Sequence, residues 1–319
     1  MNGFWRGKGQ AEDVVTLLEG VKAKVSKNTV VRYAEGSGLE TTDQEKLAEA
    51  VALAKQSDVV ILAVGEDADK TGEAASRTNI ELYPAQQALV KAIHSTGTPI
   101  VMVLMNGRPL AIEWSEANIP SILNGWHLGS EAGNALADVL FGDYNPSGKL
   151  TMTVPRNTGQ IPTFYNRKRI SRPLDDTRHT SKYVDSSNDP LYSFGYGLSY
   201  TDFSYSAIKL STDSINLNEN LNASVTVTNT GKRFGEEVVQ LYIKDTVGSV
   251  VRPVMELKGF EKIALEAGES QEVNFTIDAN DLAFYTRDMS FKAESGDFVL
   301  MIGSSSISYE SVPFKLTAN

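Results

Sequence analysis

The chain has 319 residues, and with roughly 150 residues to an ordinary domain it should form about two. Hydrophobic residues make up 41 % and charged residues 22 %, a globular balance that excludes wholesale disorder. Thirty Lys and Arg against forty Asp and Glu leave a net charge of -10, which argues against nucleic acid and membrane as partners, because phosphate binding needs clustered cations.

No stretch approaches the ~18 consecutive apolar residues of a membrane span. The first residues, Met1-Asn2-Gly3-Phe4-Trp5-Arg6, do not read as a basic and then apolar signal peptide. The absence of cysteine removes disulfide scaffolds, thiolate metal sites and cysteine nucleophiles, and leaves the compartment open. His94, His127 and His179 are far apart in sequence, so no metal site is expected, and no residue pattern calls for a cofactor.

The first half alternates strand-like and helical runs. Val30–Ala34 is short and β-branched, as a strand would be. Thr42 and Glu45 have capping-box spacing, and Leu47, Val51 and Ala54 continue an apolar stripe at helical period. Val59–Val64 is a continuous apolar run, the pattern of a strand covered on both faces. Pro84 suits a first helical turn, Leu89, Val90 and Ile93 give that helix an inner face, and Gly97 ends it. Ile100–Leu104 and Ser121–Leu123 read as further strands, and Ala132, Leu136, Val139 and Leu140 as a helix that Gly142 stops. Such alternation predicts an α/β sandwich over 1–155, a mostly parallel sheet with helices on both faces.

From about Pro155 to Ser199 the periodicity lapses, and Arg167, Lys168, Arg169 and Arg172 lie among prolines and aromatics. Residues 156–200 are expected to form an interdomain connection packed on the first domain, a loop too long to be slack. After Tyr200 the pattern has period two. Ala223–Thr228, Val238–Ile243, Lys258–Leu265, Val273–Ile277 and Phe298–Ile302 read as strands, with turns at Asn229–Gly231 and Glu266–Glu269 and no helical period. Residues 201–319 therefore predict an all-β sandwich.

In a parallel sheet, ligands bind outside the carboxyl ends of the strands. The segment that follows Val59–Val64 there carries Glu66, Asp67, Asp69 and Glu73 together with Lys70 and Arg77, and runs on to Pro84. That is long for a strand-to-helix loop, normally about 2–6 residues. Carboxylates held on it can do general acid/base work; the plainer reading is a solvated charged loop. Trp126 and His127 follow the Ser121 strand at an equivalent edge, where an aromatic can stack on a sugar or simply pack. No Gly-x-Ser-x-Gly elbow, phosphate loop or dinucleotide fingerprint is present.

Several motifs occur in a telling order. They are Glu73-Ala74-Ala75-Ser76-Arg77, Asn106-Gly107-Arg108-Pro109, Asn145-Pro146-Ser147-Gly148-Lys149, Phe194-Gly195-Tyr196-Gly197-Leu198-Ser199-Tyr200 and Leu257-Lys258-Gly259-Phe260. Across essentially its whole length the chain resembles the C-terminal part of glycoside hydrolase family 3, bacterial periplasmic-type β-glucosidases in particular. The resemblance implies an α/β sandwich followed by a fibronectin type III-like domain. It implies retaining hydrolysis of β-glucosides or oligosaccharides, with the general acid/base at Glu73 and with Glu66 as the fallback. Arg77 and Trp126 would lie beside the substrate, Arg77 in a mainly structural role. The family's nucleophile belongs to an N-terminal (β/α)8 barrel for which this chain has no counterpart, so none is assigned here. That barrel would be a partner in cis or in trans, and the chain reads as an excised domain fragment, a truncated reading frame or one piece of a split enzyme. It should be inactive alone, with an apolar surface around residues 66–77 where the barrel would sit. Parent enzymes of this type are often periplasmic or secreted. A different class of reading is a non-catalytic carbohydrate-binding or structural module, with Trp126, Tyr192 and Tyr196 as stacking residues.

Overall fold

Three apolar segments pair in parallel to make the first sheet: β1 (Val60–Gly65), β2 (Ile100–Met105) and β3 (Ser121–Asn124), in that order with β2 central. The register sets Val60 against Ile100 and Val101 against Ser121. Met102, Val103 and Leu104 are all buried, although successive residues of a strand point to opposite faces. The sheet is therefore covered on both sides, which is why its strands read as unbroken apolar runs. The computed structural model describes residues 3–169 and 179–318. They fall into two units, Met1–Tyr144 with Val154–Ile161, and Asn145–Thr153 with Pro162–Asn319. Arg172 lies outside the described residues.

Five helices accompany the first sheet among the described residues: α1 (Leu17–Lys24), α2 (Gln44–Ala54), α3 (Pro84–His94), α4 (Glu113–Asn118) and α5 (Ala132–Phe141). Pro84 opens α3, and Gly142, with φ of 81°, ends α5 in the left-handed conformation. The start of α2 differs from expectation. Asp43 is its cap, accepting from the amides of Glu45 and Lys46, so the Thr42–Glu45 capping box does not form. Val30–Ala34 is no strand, because no neighbouring strand offers it an edge and β-branching alone cannot supply one. Two helices were not foreseen. Helix α1 starts on a true capping box, Thr16 with Glu19, and packs on α5 where Gly20 meets Gly133. A Cβ on Gly20 would fall 2.1 Å from the Gly133 carbonyl oxygen, so only glycine permits that crossing. Helix α4 is a single short element after β2.

The second unit is antiparallel apart from one short parallel pair. It comprises β4 (Phe203–Tyr205), β5 (Lys209–Leu210), β6 (Ser214–Ile215), β7 (Leu221–Asn229), β8 (Gly235–Asp245), β9 (Glu256–Leu265) and β10 (Ser270–Ile277), then a one-turn helix α6 (Ala279–Leu282), and β11 (Phe284–Tyr285), β12 (Phe291–Lys292), β13 (Gly296–Gly303) and β14 (Tyr309–Leu316). One sheet has the order β10-β7-β4, and the other β6-β14-β13-β8-β9, with β14 and β6 parallel. Val225, Val227, Leu241, Ile263, Leu300 and Phe314 belong to the core between the sheets. A bulge at Leu241/Tyr242 turns Tyr242 to a second cluster, with Met255 and Met301.

The irregular connection divides between the units. Val154–Ile161 belongs to the first, and the described residues from Pro162 onward to the second, where Tyr165 stacks on Phe194 with ring centroids 4.2 Å apart. Asn145–Thr153 also belongs to the second unit. There the Asn145 side chain accepts from Tyr200 and Ser199 and donates to the Phe234 carbonyl, while Lys149 pairs with the buried Glu237 at 3.1 Å. These specific-looking motifs are thus a latch for the β-sandwich.

Candidate active site

The carboxyl ends of β1 and β2 come unusually close. A Cβ on Gly65, whose φ is +140°, would lie 1.8 Å from the Met105 carbonyl oxygen, so the close approach demands glycine. The next amide, Glu66, donates to that same oxygen, and the Glu66 side chain turns inward with no exposed surface. Its Oε1 pairs with Arg77 Nη1 at 3.0 Å and lies 2.9 Å from Arg108 Nε, an ion pair outside good hydrogen-bond alignment. Its Oε2 accepts from the Gly107 amide at 3.1 Å. Glu66 is therefore the buried counter-ion of two arginines, which is an anchoring position and not that of a carboxylate open to substrate.

Both arginines hold the loop. Arg77 donates to the Glu81 carbonyl and lies over the Tyr83 ring, 4.1 Å from its centroid. Arg108 donates to the carbonyls of Lys70 and Ala75, on either side of Glu73. Fixed from both flanks, the loop presents Glu73 to solvent in a turn where Ala74 has φ of +57°. That conformation is uncommon for a residue with a side chain and marks local strain. Among the described residues the Glu73 carboxylate makes no hydrogen bond or ion pair, whereas Asp67 caps the short turn Ala68–Lys70 through the Asp69 amide. The surface here is not apolar as expected. Asp67, Asp69, Lys70, Glu73 and Ser76 are its exposed polar side chains, and its apolar part is limited to Ala74 and the neighbouring Phe4–Trp5 pair.

Under the loop is a tight junction that sequence reasoning did not single out. A Cβ on Gly107 would fall 1.9 Å from Thr71 Oγ1 and 2.9 Å from His127 Nε2. A Cβ on Gly72 would strike the Phe4 side chain at 2.6 Å, and one on Gly3 the His127 ring at 2.7 Å. Among the described residues neither His127 ring nitrogen nor Asn106 Oδ1, all buried, has a hydrogen-bond partner, and burial pushes the His127 pKa down from its ordinary value. The neutral ring is the form this setting favours. The signals in the sequence were the run Asn106-Gly107-Arg108 directly after β2 and the pair Trp126-His127 soon after β3, which spacing alone does not bring together. Trp126 is half-buried at the end of β3 with φ of +46°, its amide donating to Asn124 Oδ1 at 3.4 Å. The other proposed stacking residues, Tyr192 and Tyr196, stack on each other in the second unit, centroids 5.3 Å apart.

Glu66, Arg77, Arg108 and Glu73 are thus collected by the ends of two adjacent strands, and Trp126 sits at the end of the third. One free carboxylate on a braced loop can donate or accept a proton. Among the described residues no group of three or more His, Asp or Glu could hold a metal ion, and no helix is long and apolar enough to cross a membrane.

Residues 1–200 match the glycosyl hydrolase family 3 C-terminal domain, and residues 237–306 the fibronectin type III-like domain. A periplasmic beta-glucosidase of Salmonella typhimurium is 43 % identical over 98 % of this chain, which covers 44 % of that protein. A beta-xylosidase of Formosa agariphila is 44 % identical over 92 % of the chain and is covered to 40 %. The crystal structure of a beta-glucosidase from Listeria innocua in complex with isofagomine superposes with a TM-score of 0.94 at 36 % identity, covering all of this chain and 44 % of the other. The chain spans less than half the length of these relatives. It belongs to glycosyl hydrolase family 3, as that family's C-terminal domain continued by a fibronectin type III-like domain.

Proposed function

We propose that this chain is the C-terminal portion of a retaining, exo-acting β-glucosidase that releases terminal, non-reducing β-D-glucosyl residues, and that Glu73 is its general acid/base. The observation that carries the reading is the contrast between two carboxylates on one loop. Glu66 is buried and consumed by Arg77 and Arg108, while Glu73 is exposed, without a partner among the described residues, on a segment those arginines brace. Glu66 then positions, and Arg77 does structural work. In the retaining mechanism the acid protonates the departing glycosidic oxygen as a second carboxylate, set roughly 5–5.5 Å from the first, attacks the anomeric carbon; the same residue, now a base, takes a proton from the water that frees the sugar. Such an acid is held protonated by burial and a neighbouring carboxylate. Burial, nucleophile and sugar pocket all have to come from an N-terminal barrel, so the chain alone is inactive. The Salmonella relative's name supports a periplasmic or secreted parent.

The test is hydrolysis of chromogenic β-glucosides and β-xylosides by the chain, alone and mixed with a separately produced family barrel. Turnover in the mixture only, lost with Glu73→Gln, is the expected result. Turnover that survives Glu73→Gln removes the assignment, and faster β-xyloside cleavage changes the substrate class.

A further inference from the structure

A groove runs across the first unit along the start of α3. Its larger part, about 830 Å³, begins at Ser76 and Arg77 of the Glu73 loop and passes Glu81, Tyr83 and Gln87. A smaller part of about 200 Å³ shares Glu81, Leu82 and Gln87 and ends at Trp114, Arg156 and Asn157. The two adjoin through those shared residues, and the larger by itself has the size that ligand clefts commonly have.

Arg77, Asn79, Glu113 and Arg156 are bonded within the fold, whereas the acceptors and hydroxyls at the groove's centre are largely unspent. Tyr83 is 5 % exposed, yet its hydroxyl makes no hydrogen bond among the described residues while the residue lines the groove. Burial raises the Tyr83 pKa, so the hydroxyl stays a neutral donor and acceptor. The Glu81 carboxylate, with room for about four hydrogen bonds, receives one long contact of 3.4 Å from Gln87 Nε2. Glu40 and Ser76 make no side-chain bond among the described residues. The walls balance in charge, Glu40, Glu81 and Glu113 against Arg77, Lys91 and Arg156. A balanced wall gives neither an anion nor a cation a net attraction. What remains is a neutral ligand rich in hydroxyls, since a carboxylate accepts from two adjacent hydroxyls at once and a phenol hydroxyl both donates and accepts. At the far end the Trp114 indole, with Lys91 Nζ 5.4 Å from its ring centroid and His94 edge-on to it, is still 36 % exposed, and that exposed part offers an apolar surface for the C–H face of a ring.

We propose that this groove is a saccharide-binding site for neutral oligosaccharides, distinct from the position of Glu73, with Tyr83, Glu81, Gln87 and Trp114 as its contacts. It lies within the first unit and needs no second carboxylate and no barrel. Its standing is therefore independent of the acid/base assignment.

The experiment is calorimetric titration of the full 319-residue chain with laminaribiose and cellobiose, with tryptophan fluorescence as a second readout. Saturable binding with a Kd on the order of 1 mM is expected. Gln87→Ala, a substitution helix α3 tolerates, should weaken it at least about fivefold, and Trp114→Phe comparably, each with an unchanged far-UV circular dichroism spectrum. Three results would overturn the proposal. One is the absence of binding by either disaccharide. Another is tighter binding of gluconate or glucosamine than of the neutral sugars. The third is binding that Glu73→Gln abolishes and Gln87→Ala leaves intact, which would place the sugar at the proposed acid/base and not in the groove.

Discussion

Replacing Glu66 by glutamine removes the charge at the root of the loop while keeping the side chain's shape. Three donors, Arg77 Nη1, Arg108 Nε and the Gly107 amide, converge on its two oxygens. An amide offers one oxygen and an NH2 group, so in either orientation at least one donor faces another donor. The arginine side chains are only 15 % and 19 % exposed, so water compensates them poorly. Breaking a buried pair from one side costs about 3–5 kcal/mol, and the oxygen that glutamine retains brings the expected loss to about 2–3 kcal/mol. All three tryptophans, Trp5, Trp114 and Trp126, lie in the first unit, so their fluorescence follows its unfolding separately from the second. With a slope of about 2 kcal/mol per molar urea, the midpoint should fall by about 1–1.5 M. Glu73→Gln, which alters an exposed side chain without partners, should stay within about 0.5 kcal/mol of the parent. Equal midpoints for the two variants would show the Glu66 pairs to be screened by solvent and would refute the division of roles between these carboxylates.

In the second unit, Lys149 and the Tyr205 hydroxyl both satisfy the buried Glu237. Lys149→Met should cost about 3–5 kcal/mol and Tyr205→Phe about 1.5–3 kcal/mol, read by tyrosine near-UV circular dichroism during thermal unfolding. The lowered pKa of His127 means that the unfolded chain takes up a proton before the folded one does. Stability should therefore be fully present above the unfolded value near 6.5 and decline as pH falls toward the folded value. His127→Phe should flatten that dependence in the tryptophan-monitored transition, and an unchanged slope would count against a buried neutral ring. Gly65→Ala would set a Cβ against the Met105 carbonyl at +140° of φ, and should leave no cooperative tryptophan transition at all.

The α/β half could be read because continuous apolar runs and helical stripes are local patterns, and β1, β2, α3 and α5 fall where those patterns lie. The places that escaped reading depend on partners. Val30–Ala34 has strand propensity and no neighbouring edge, and α1 has a capping box whose value shows only once Gly20 meets Gly133. The edge strands β4, β5 and β6 are too short to carry a period of their own. The expectation of an apolar surface beside the loop failed because Asp67, Asp69 and Lys70 are solvated there.

By itself the sequence determined the two architectures, the order of their main strands and helices, the family likeness and the loop that carries Glu66, Glu73 and Arg77. Family likeness put Glu73 first and Glu66 as the fallback, but spacing in a loop does not say which side chain turns inward. Tertiary structure decided that. The close approach of Gly65 to Met105 aims Glu66 beneath the sheet edge, where Arg77, Arg108 and the Gly107 amide converge, and leaves Glu73 in water. An ion pair is made by residues that are distant along the chain, so its geometry exists only once the strands have paired.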